Sequence, residues 1–295
     1  MGIPSFQEIH IEGTNACRYK CFMCPREELT RSIGHMPLED FSLILERVGP
    51  FEGIVHLHGF GESLLDRAFL SKIEQLKQRN PKACAVVFST LGVRLQETFF
   101  FKMIEAGLDK LAISLYGFSE ESYTRVHGFN GLALVKHNLE TLARAMQTSN
   151  NKSFSAYIKV PGESVSSALP LASSKKVDKT EKAEFCHWAE GLGFTIREWS
   201  YLHNYGDGRS YNPPGERMCP VIQGKRKHIL NVAWNLDILP CAYDFNGAIR
   251  FGNLKTHSLE EIFSSPEYFS FLLAHTTKDL SSYKICQSCE KTDYE

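Results

Sequence analysis

The chain has no long apolar run, no excess of either charge and no internal repeat. Its 33 Lys and Arg stand against 34 Asp and Glu, a formal charge of −1. No basic field therefore draws it to a polyanion, and nucleic acid is not an expected partner. Nowhere do about 18 apolar residues run together, so no membrane-spanning helix is expected. The opening MGIPSFQEIHIEG has neither a basic n-region nor an apolar h-region, and a cytoplasmic location is the expectation. Low-complexity tracts are missing as well. Hydrophobic residues at 43% and aromatic residues at 12% suffice for a sizeable core. Against these absences stand nine cysteines. In a reducing compartment they point to metal or redox chemistry rather than to disulfides.

Over the first two-thirds of the chain, short β-branched runs alternate with longer amphipathic ones. The expected strands cover 8–13, 53–61, 84–92, 110–117, 153–160 and 194–202. Stretches such as PLEDFSLILERV and DRAFLSKIEQLKQR lie between them with helical spacing. In RLQETFFFKMIEAG the expected buried face is Phe99, Met103 and Ile104. Gly107, Gly191 and Gly193 are placed to end helices. Repeated βα units imply an α/β fold with a parallel sheet and right-handed crossovers, here a partial (β/α)6 TIM-like barrel. After Gly208 a turn-rich SYNPPGERMCP leads into KHILNVAWNLDILPCAYDF, which reads as two short strands about a turn near Asn235. A helix follows, with Ser258 as its cap and Glu261 completing a capping box. The expected domains are residues 1–208, the barrel, and 209–295, a small hairpin-plus-helix domain.

Cys17, Cys21 and Cys24 lie in GTNACRYKCFMCPREE, directly after the first expected strand. Three thiols leave a four-ligand zinc one ligand short, and His10 and His35 are poorly spaced to complete a zinc knuckle. The surrounding residues are mostly polar and read as loop, which argues against a chance cluster of buried cysteines. A cubane held by three thiolates, with one iron open to an exogenous ligand, fits the number. A second set, Cys219, Cys241, Cys286 and Cys289, is complete in itself, and on ligand count alone a structural zinc fits it. Cys84 and Cys186 fall at the start of the third strand and on a helix, and read as packing thiols.

Taken in order, the Cys-x3-Cys-x2-Cys loop, Gly61-Glu62 in HGFGESLLD, Ser89-Thr90 in FSTLG and Ser114 in SLYG resemble the radical S-adenosylmethionine superfamily. The resemblance implies a 4Fe–4S cluster on Cys17, Cys21 and Cys24 whose open iron is chelated by S-adenosylmethionine. Reductive cleavage of that cofactor then yields a 5′-deoxyadenosyl radical. It further implies Gly61 and Glu62 for the cofactor's ammonium group, and Ser89, Thr90 and Ser114 for its ribose or carboxylate. Arg125, in YTRVHGFNG, is implied for the carboxylate and Met23 for the adenine. Phe60, Leu91 and Tyr116 depart from the family's usual small residue, Asn and Asp. The segment from Trp234 onward resembles the twitch form of the SPASM extension, with Leu236 in place of the usual turn glycine. That implies an auxiliary 4Fe–4S cluster on Cys219, Cys241, Cys286 and Cys289, and a flavodoxin- or ferredoxin-type reductant.

His56 and His58 alternate along the second strand and face one side of the sheet, as barrel-lining residues or as metal ligands. Glu198, Tyr201, His203, Tyr205 and Asp207 gather at the end of the sixth strand. This mixture suits a small hydroxylated or aminated substrate, and His203 and Tyr116 are the candidate bases for a hydroxyl proton. From the resemblance, the expected reaction removes hydrogen from a carbinol carbon of an aminocyclitol or amino sugar and ends in dehydrogenation, as in antibiotic biosynthesis. Epimerisation of such a sugar, modification of a ribosomal peptide, and a non-catalytic iron–sulfur or zinc module are the alternatives.

Overall fold

A computed structural model describes residues 4–169, 179–206, 208–215, 219, 222 and 228–290. Six parallel strands alternate with helices: β1 (Phe6–Ile11), β2 (Ile54–His56), β3 (Cys84–Ser89), β4 (Lys110–Ser114), β5 (Ser155–Pro161) and β6 (Thr195–Trp199). They pair in chain order, and the sheet continues past β1 through β7 (His228–Val232), β8 (Asp237–Leu239) and β9 (Gly252–Asn253). β7 runs parallel to β1, whereas β8 and β9 are antiparallel. The hairpin expected near Asn235 is therefore continuous with the barrel sheet. β6 pairs only with β5 among the described strands, so the barrel is open, as a partial (β/α)6 architecture requires.

The helices are α1 (Leu38–Val48), α2 (Phe69–Arg79), α3 (Glu97–Glu105), α4 (Glu120–His127), α5 (Leu132–Thr148), α6 (Glu163–Ala168), α7 (Lys179–Gly191), α8 (Leu259–Phe263), α9 (Pro266–Thr277) and α10 (Lys284–Gln287). Each strand divides its residues between two faces. Ile9, Ile11, Val55, Ala85, Val87, Leu111 and Ile113 turn outward to the helices and are buried. Ile73 and Leu76 on α2 bury completely beneath this layer, worth about 1.5–3 kcal/mol each. On α3 the fully buried aromatic is Phe100, with Met103 and Ile104, whereas Phe99 packs at the edge against Phe69. Among the described residues no helix is long and apolar enough to cross a membrane.

Every expected strand except β5 overruns the observed one at its C-terminal end, because the apolar continuations turn into loops. Leu91 and Leu236, which replace the usual Asn and Gly, keep the left-handed backbone with φ 54° and 71°. Both are fully buried, so packing holds a conformation that their side chains disfavour. Gly107 and Gly193 take φ of 98° and 96° just past their helices, whereas Gly191 is the last residue of α7. Cys84 opens β3 and Cys186 lies on α7, as expected.

Candidate active site

The strands' C-terminal ends carry the loops of the site, as in other barrels. After β1 the chain from Gly13 to Met36 closes on itself: Met36 N–H donates to the Gly13 carbonyl at 2.8 Å. Asn15 braces the same loop, donating to Ser32 O at 2.9 Å and accepting from Gly34 N–H at 2.8 Å. Two further N–H groups, of Lys20 and Phe22, donate to the carbonyls of His127 and Val126 at the end of α4. These are carbonyls that a helix terminus leaves without an internal partner. Cys17, Cys21 and Cys24 thereby share one cavity of about 200 Å³. Burial pushes the Cys17 thiol up to about 11 and the Cys21 and Cys24 thiols up as well. Such thiols hold their protons until a metal displaces them.

Across the cavity stand Gly61, Glu62, Ser89, Thr90 and Ser114. A Cβ at Gly61 would sit 2.3 Å from the Thr14 carbonyl oxygen, so only glycine lets β2's loop meet the cysteine loop. Glu62 is buried and accepts from Ser89 Oγ at 2.7 Å, Thr90 Oγ1 at 2.7 Å and Thr90 N at 2.9 Å. Arg125 is placed elsewhere: it pairs with Glu121 one turn back on α4 at 2.5 Å, and it does not line this cavity. The guanidinium that does is Arg26, which donates to Asn15 O at 3.2 Å. No motif marked it.

A larger cavity of about 390 Å³ adjoins the first, and His58, Gly59, Phe60, Phe88, Ser114 and Tyr205 line both. Tyr116, His203 and Met23 open onto it. Burial pushes the Tyr116 phenol up to about 12. His203 Nδ1 lies 3.0 Å from Glu290 Oε1, a carboxylate only 5% exposed. Lys159 reaches in from β5 with its ammonium 5.2 Å from the Phe88 ring centre, and burial lowers its pKa. Trp199, Asn231 and the Glu12–Arg31 pair complete the wall. Sequence reading missed Lys159, although it sits on the inward side of β5's alternation. Glu198, expected at the mouth, is exposed and pairs with Lys182 at 2.5 Å. Tyr201 packs its ring on His203 at 5.0 Å, outside the lining, and Asp207 lies outside the described residues.

A third cavity, of about 60 Å³, is lined by Cys219, Cys241, Cys286 and Cys289 together with Tyr243 and His275 among others. Four thiols from the segment before β7, the loop after β8, and α10 with the turn behind it thus meet in one place. Cys241 and Tyr243 also line the central cavity. Their side chains stand between the substrate-sized space and the four-thiol space. The donor sets fit the implied groups: three thiols beside an open chamber, and four thiols enclosing a small one.

Residues 11–172 match the family model described as the Radical SAM superfamily, and residues 223–290 match the SPASM model, an iron–sulfur cluster-binding domain. A probable GTP 3′,8-cyclase of Sulfurisphaera tokodaii is 31% identical over 143 residues, 48% of this chain and 44% of that protein. A second, of Thermococcus kodakarensis, is 31% identical over 140 residues, 45% of this chain and 42% of that protein. The chain thus matches less than half the length of these curated relatives. Among solved structures, BtrN in complex with AdoMet and 2-DOIA superposes with TM-score 0.62 at 18% identity, over 98% of this chain and 96% of that one. Native anSMEcpe with bound AdoMet gives TM-score 0.62 at 15% identity, over 97% and 91%. At these identities the likeness is one of fold.

Proposed function

This chain belongs to the Radical SAM superfamily, and from that premise we propose that it is an oxidoreductase that dehydrogenates a carbinol of a small hydroxylated and aminated ring, an aminocyclitol or amino sugar. Its cofactors are 4Fe–4S clusters and S-adenosylmethionine. In this reading Cys17, Cys21 and Cys24 hold the first cluster, and Cys219, Cys241, Cys286 and Cys289 the second. When bound, these groups supply a carbon radical that abstracts hydrogen and, at the second site, an acceptor for one electron.

The observation that carries the reading is the arrangement of the three cavities. The central one shares Phe60 and Tyr205 with the three-thiol cavity, and Cys241 and Tyr243 with the four-thiol cavity. A substrate there lies between a site of hydrogen abstraction and a site of electron acceptance, which are the two requirements of an oxidation. The chain's own residues supply the rest. His203, oriented by the buried Glu290, takes the carbinol proton. Tyr116 is the weaker base, because burial holds its phenol protonated, and it serves as donor and stacking surface. Lys159 and the Glu12–Arg31 pair offer opposite charges to hydroxyl or amino groups on the ring. Trp199 presents an apolar face that excludes water. The single auxiliary cysteine set resembles that of 2-deoxy-scyllo-inosamine dehydrogenase, which supports an aminocyclitol as the substrate to try first.

The test is anaerobic turnover of the reconstituted enzyme with S-adenosylmethionine, dithionite and 2-deoxy-scyllo-inosamine deuterated at each carbinol carbon. Equal amounts of 5′-deoxyadenosine and ketone, with deuterium in the 5′-deoxyadenosine, are the expected result. Failure of every such ring to raise cofactor cleavage above background removes the substrate class. Epimerisation is the second reading, because Cys241 faces the central cavity and a thiol can return a hydrogen atom. Solvent deuterium appearing on the product carbon selects it.

A further inference from the structure

Below the central cavity, the barrel lumen carries a cluster that the reading above does not use. Glu8 and His10 are two apart on β1 and so share its inner face, while the outward Ile9 and Ile11 are buried against the helices. β2 pairs in register with His10 opposite His56. His56 is thereby on the same face, and His58 follows it two residues on. Three imidazoles pack together, with ring centres 4.5 Å apart for His10 and His56 and 5.3 Å and 5.4 Å from those two to His58.

We propose that Glu8, His10 and His56 form a divalent-metal site in the barrel lumen, which takes zinc through two imidazole nitrogens and one carboxylate oxygen. The three donor atoms already converge. Glu8 Oε2 lies 3.7 Å from His10 Nε2 and 3.4 Å from His56 Nε2, and one ligand atom from each of the three residues falls within 4.8 Å of the others. A tetrahedral zinc with bonds of about 2.0–2.1 Å has ligand-to-ligand edges of roughly 3.3–3.4 Å. The two edges to Glu8 lie within tenths of an ångström of that value and the third is under 4.8 Å, so side-chain rotamer adjustment closes the set.

A second observation is the state of the ring nitrogens. His10 Nε2, His56 Nδ1 and His58 Nδ1 are buried with no hydrogen-bond partner among the described residues. Buried polar atoms are nearly always satisfied, and an ion at His10 Nε2 satisfies the first of these. Three protein ligands leave a coordination position for water or a substrate oxygen. His10 lines the central cavity, so that position is reached from the substrate chamber. Two imidazoles with one carboxylate form the donor set of His2Glu zinc sites and also suit ferrous iron, and the absence of a thiol separates the set from both cysteine sites.

The experiment equilibrates the cluster-reconstituted protein with zinc, removes loose metal by gel filtration, and measures zinc per chain and acid-labile sulfide together. The expected result is one zinc per chain in the wild type, falling at least tenfold in His10→Gln and His56→Gln at unchanged sulfide. Zinc absorption-edge fine structure should give a nitrogen and oxygen shell at about 2.0–2.1 Å. Glu8→Gln keeps the shape of the lumen and stands in should a histidine variant fail to fold; it too should lose the zinc. The proposal is overturned by a wild type that retains no zinc, by a sulfur shell at about 2.3 Å, or by equal retention in the folded variants. None of these readouts depends on turnover.

Discussion

His127 places its Nδ1 3.3 Å from Cys21 Sγ, while its Nε2 accepts the Tyr116 backbone N–H at 3.2 Å. Because Nε2 must be bare to accept, the proton of the neutral ring sits on Nδ1 and points at the sulfur. Burial pushes the His127 pKa down to about 3, so the ring is neutral at working pH. A donor to a ligating thiolate stabilises the more negative, reduced state of a cluster and raises its potential. His127→Phe keeps a ring between Tyr116 and Tyr123, which stack on it at 5.5 Å and 4.2 Å, but removes the donor. A hydrogen bond worth about 1 kcal/mol net corresponds to roughly 40 mV for one electron. The potential of the three-cysteine cluster should fall by about that much in a redox titration followed by electron paramagnetic resonance, at unchanged iron content.

Glu12 joins four parts of the chain. Its carboxylate takes both terminal nitrogens of Arg31, the Phe60 N–H at 3.0 Å and the Trp234 N–H at 3.3 Å. Arg31 in turn donates from Nε to Phe245 O at 2.7 Å. The strand, the cysteine loop, the loop after β2 and the turn between β7 and β8 are thus clasped at one carboxylate that is 5% exposed. Glu12→Ala leaves the nearly buried Arg31 guanidinium without its counter-charge, a loss of up to about 3–5 kcal/mol. The melting temperature of the reconstituted protein should drop by several degrees or more, and Glu12→Gln should recover part of it.

The sequence made the order of elements and both cysteine sets legible, because spacing and alternation are written in consecutive residues. Strand ends were overrun for a physical reason: Leu57 and Leu91 are buried and continue the apolar pattern, yet their backbones already belong to the site loops. The motif position of Arg125 says nothing of Glu121, which lies one helical turn away and pairs with it. Arg26, Lys159 and the Glu12–Arg31 pair were invisible as single charges without a motif. Their roles come from which strand face or loop brings them to the lumen, and register across the sheet decides that.

His203→Gln tests the base. The amide fills much the same space and can still donate to Glu290, but it cannot take a proton. Loss of general-base assistance typically costs about 10²–10⁴-fold. Ketone formation should fall within that range, while cofactor cleavage continues and 5′-deoxyadenosine accumulates without matching product. Glu290→Gln removes the orienting charge but leaves the imidazole, so its loss should be smaller and its pH–rate profile displaced. Equal effects of the two variants on cleavage and on product would place His203 in substrate binding instead.

Cys241 and Cys286 together separate oxidation from epimerisation. Both line the four-thiol cavity, but only Cys241 also lines the central one. As ligands of one cluster they are equivalent, and Cys241→Ser and Cys286→Ala should each lower iron from about eight to about four per chain. Each should then leave cofactor cleavage in place and cut ketone formation at least tenfold, because the carbinol radical has lost its electron acceptor. As a hydrogen donor, Cys241 would be unique: its Ser variant would keep all its iron and lose product, whereas Cys286→Ala would stay active. Iron and sulfide analysis of the two variants beside product assays decides between these patterns, and the place of Cys241 among the four thiols of one cavity predicts the first.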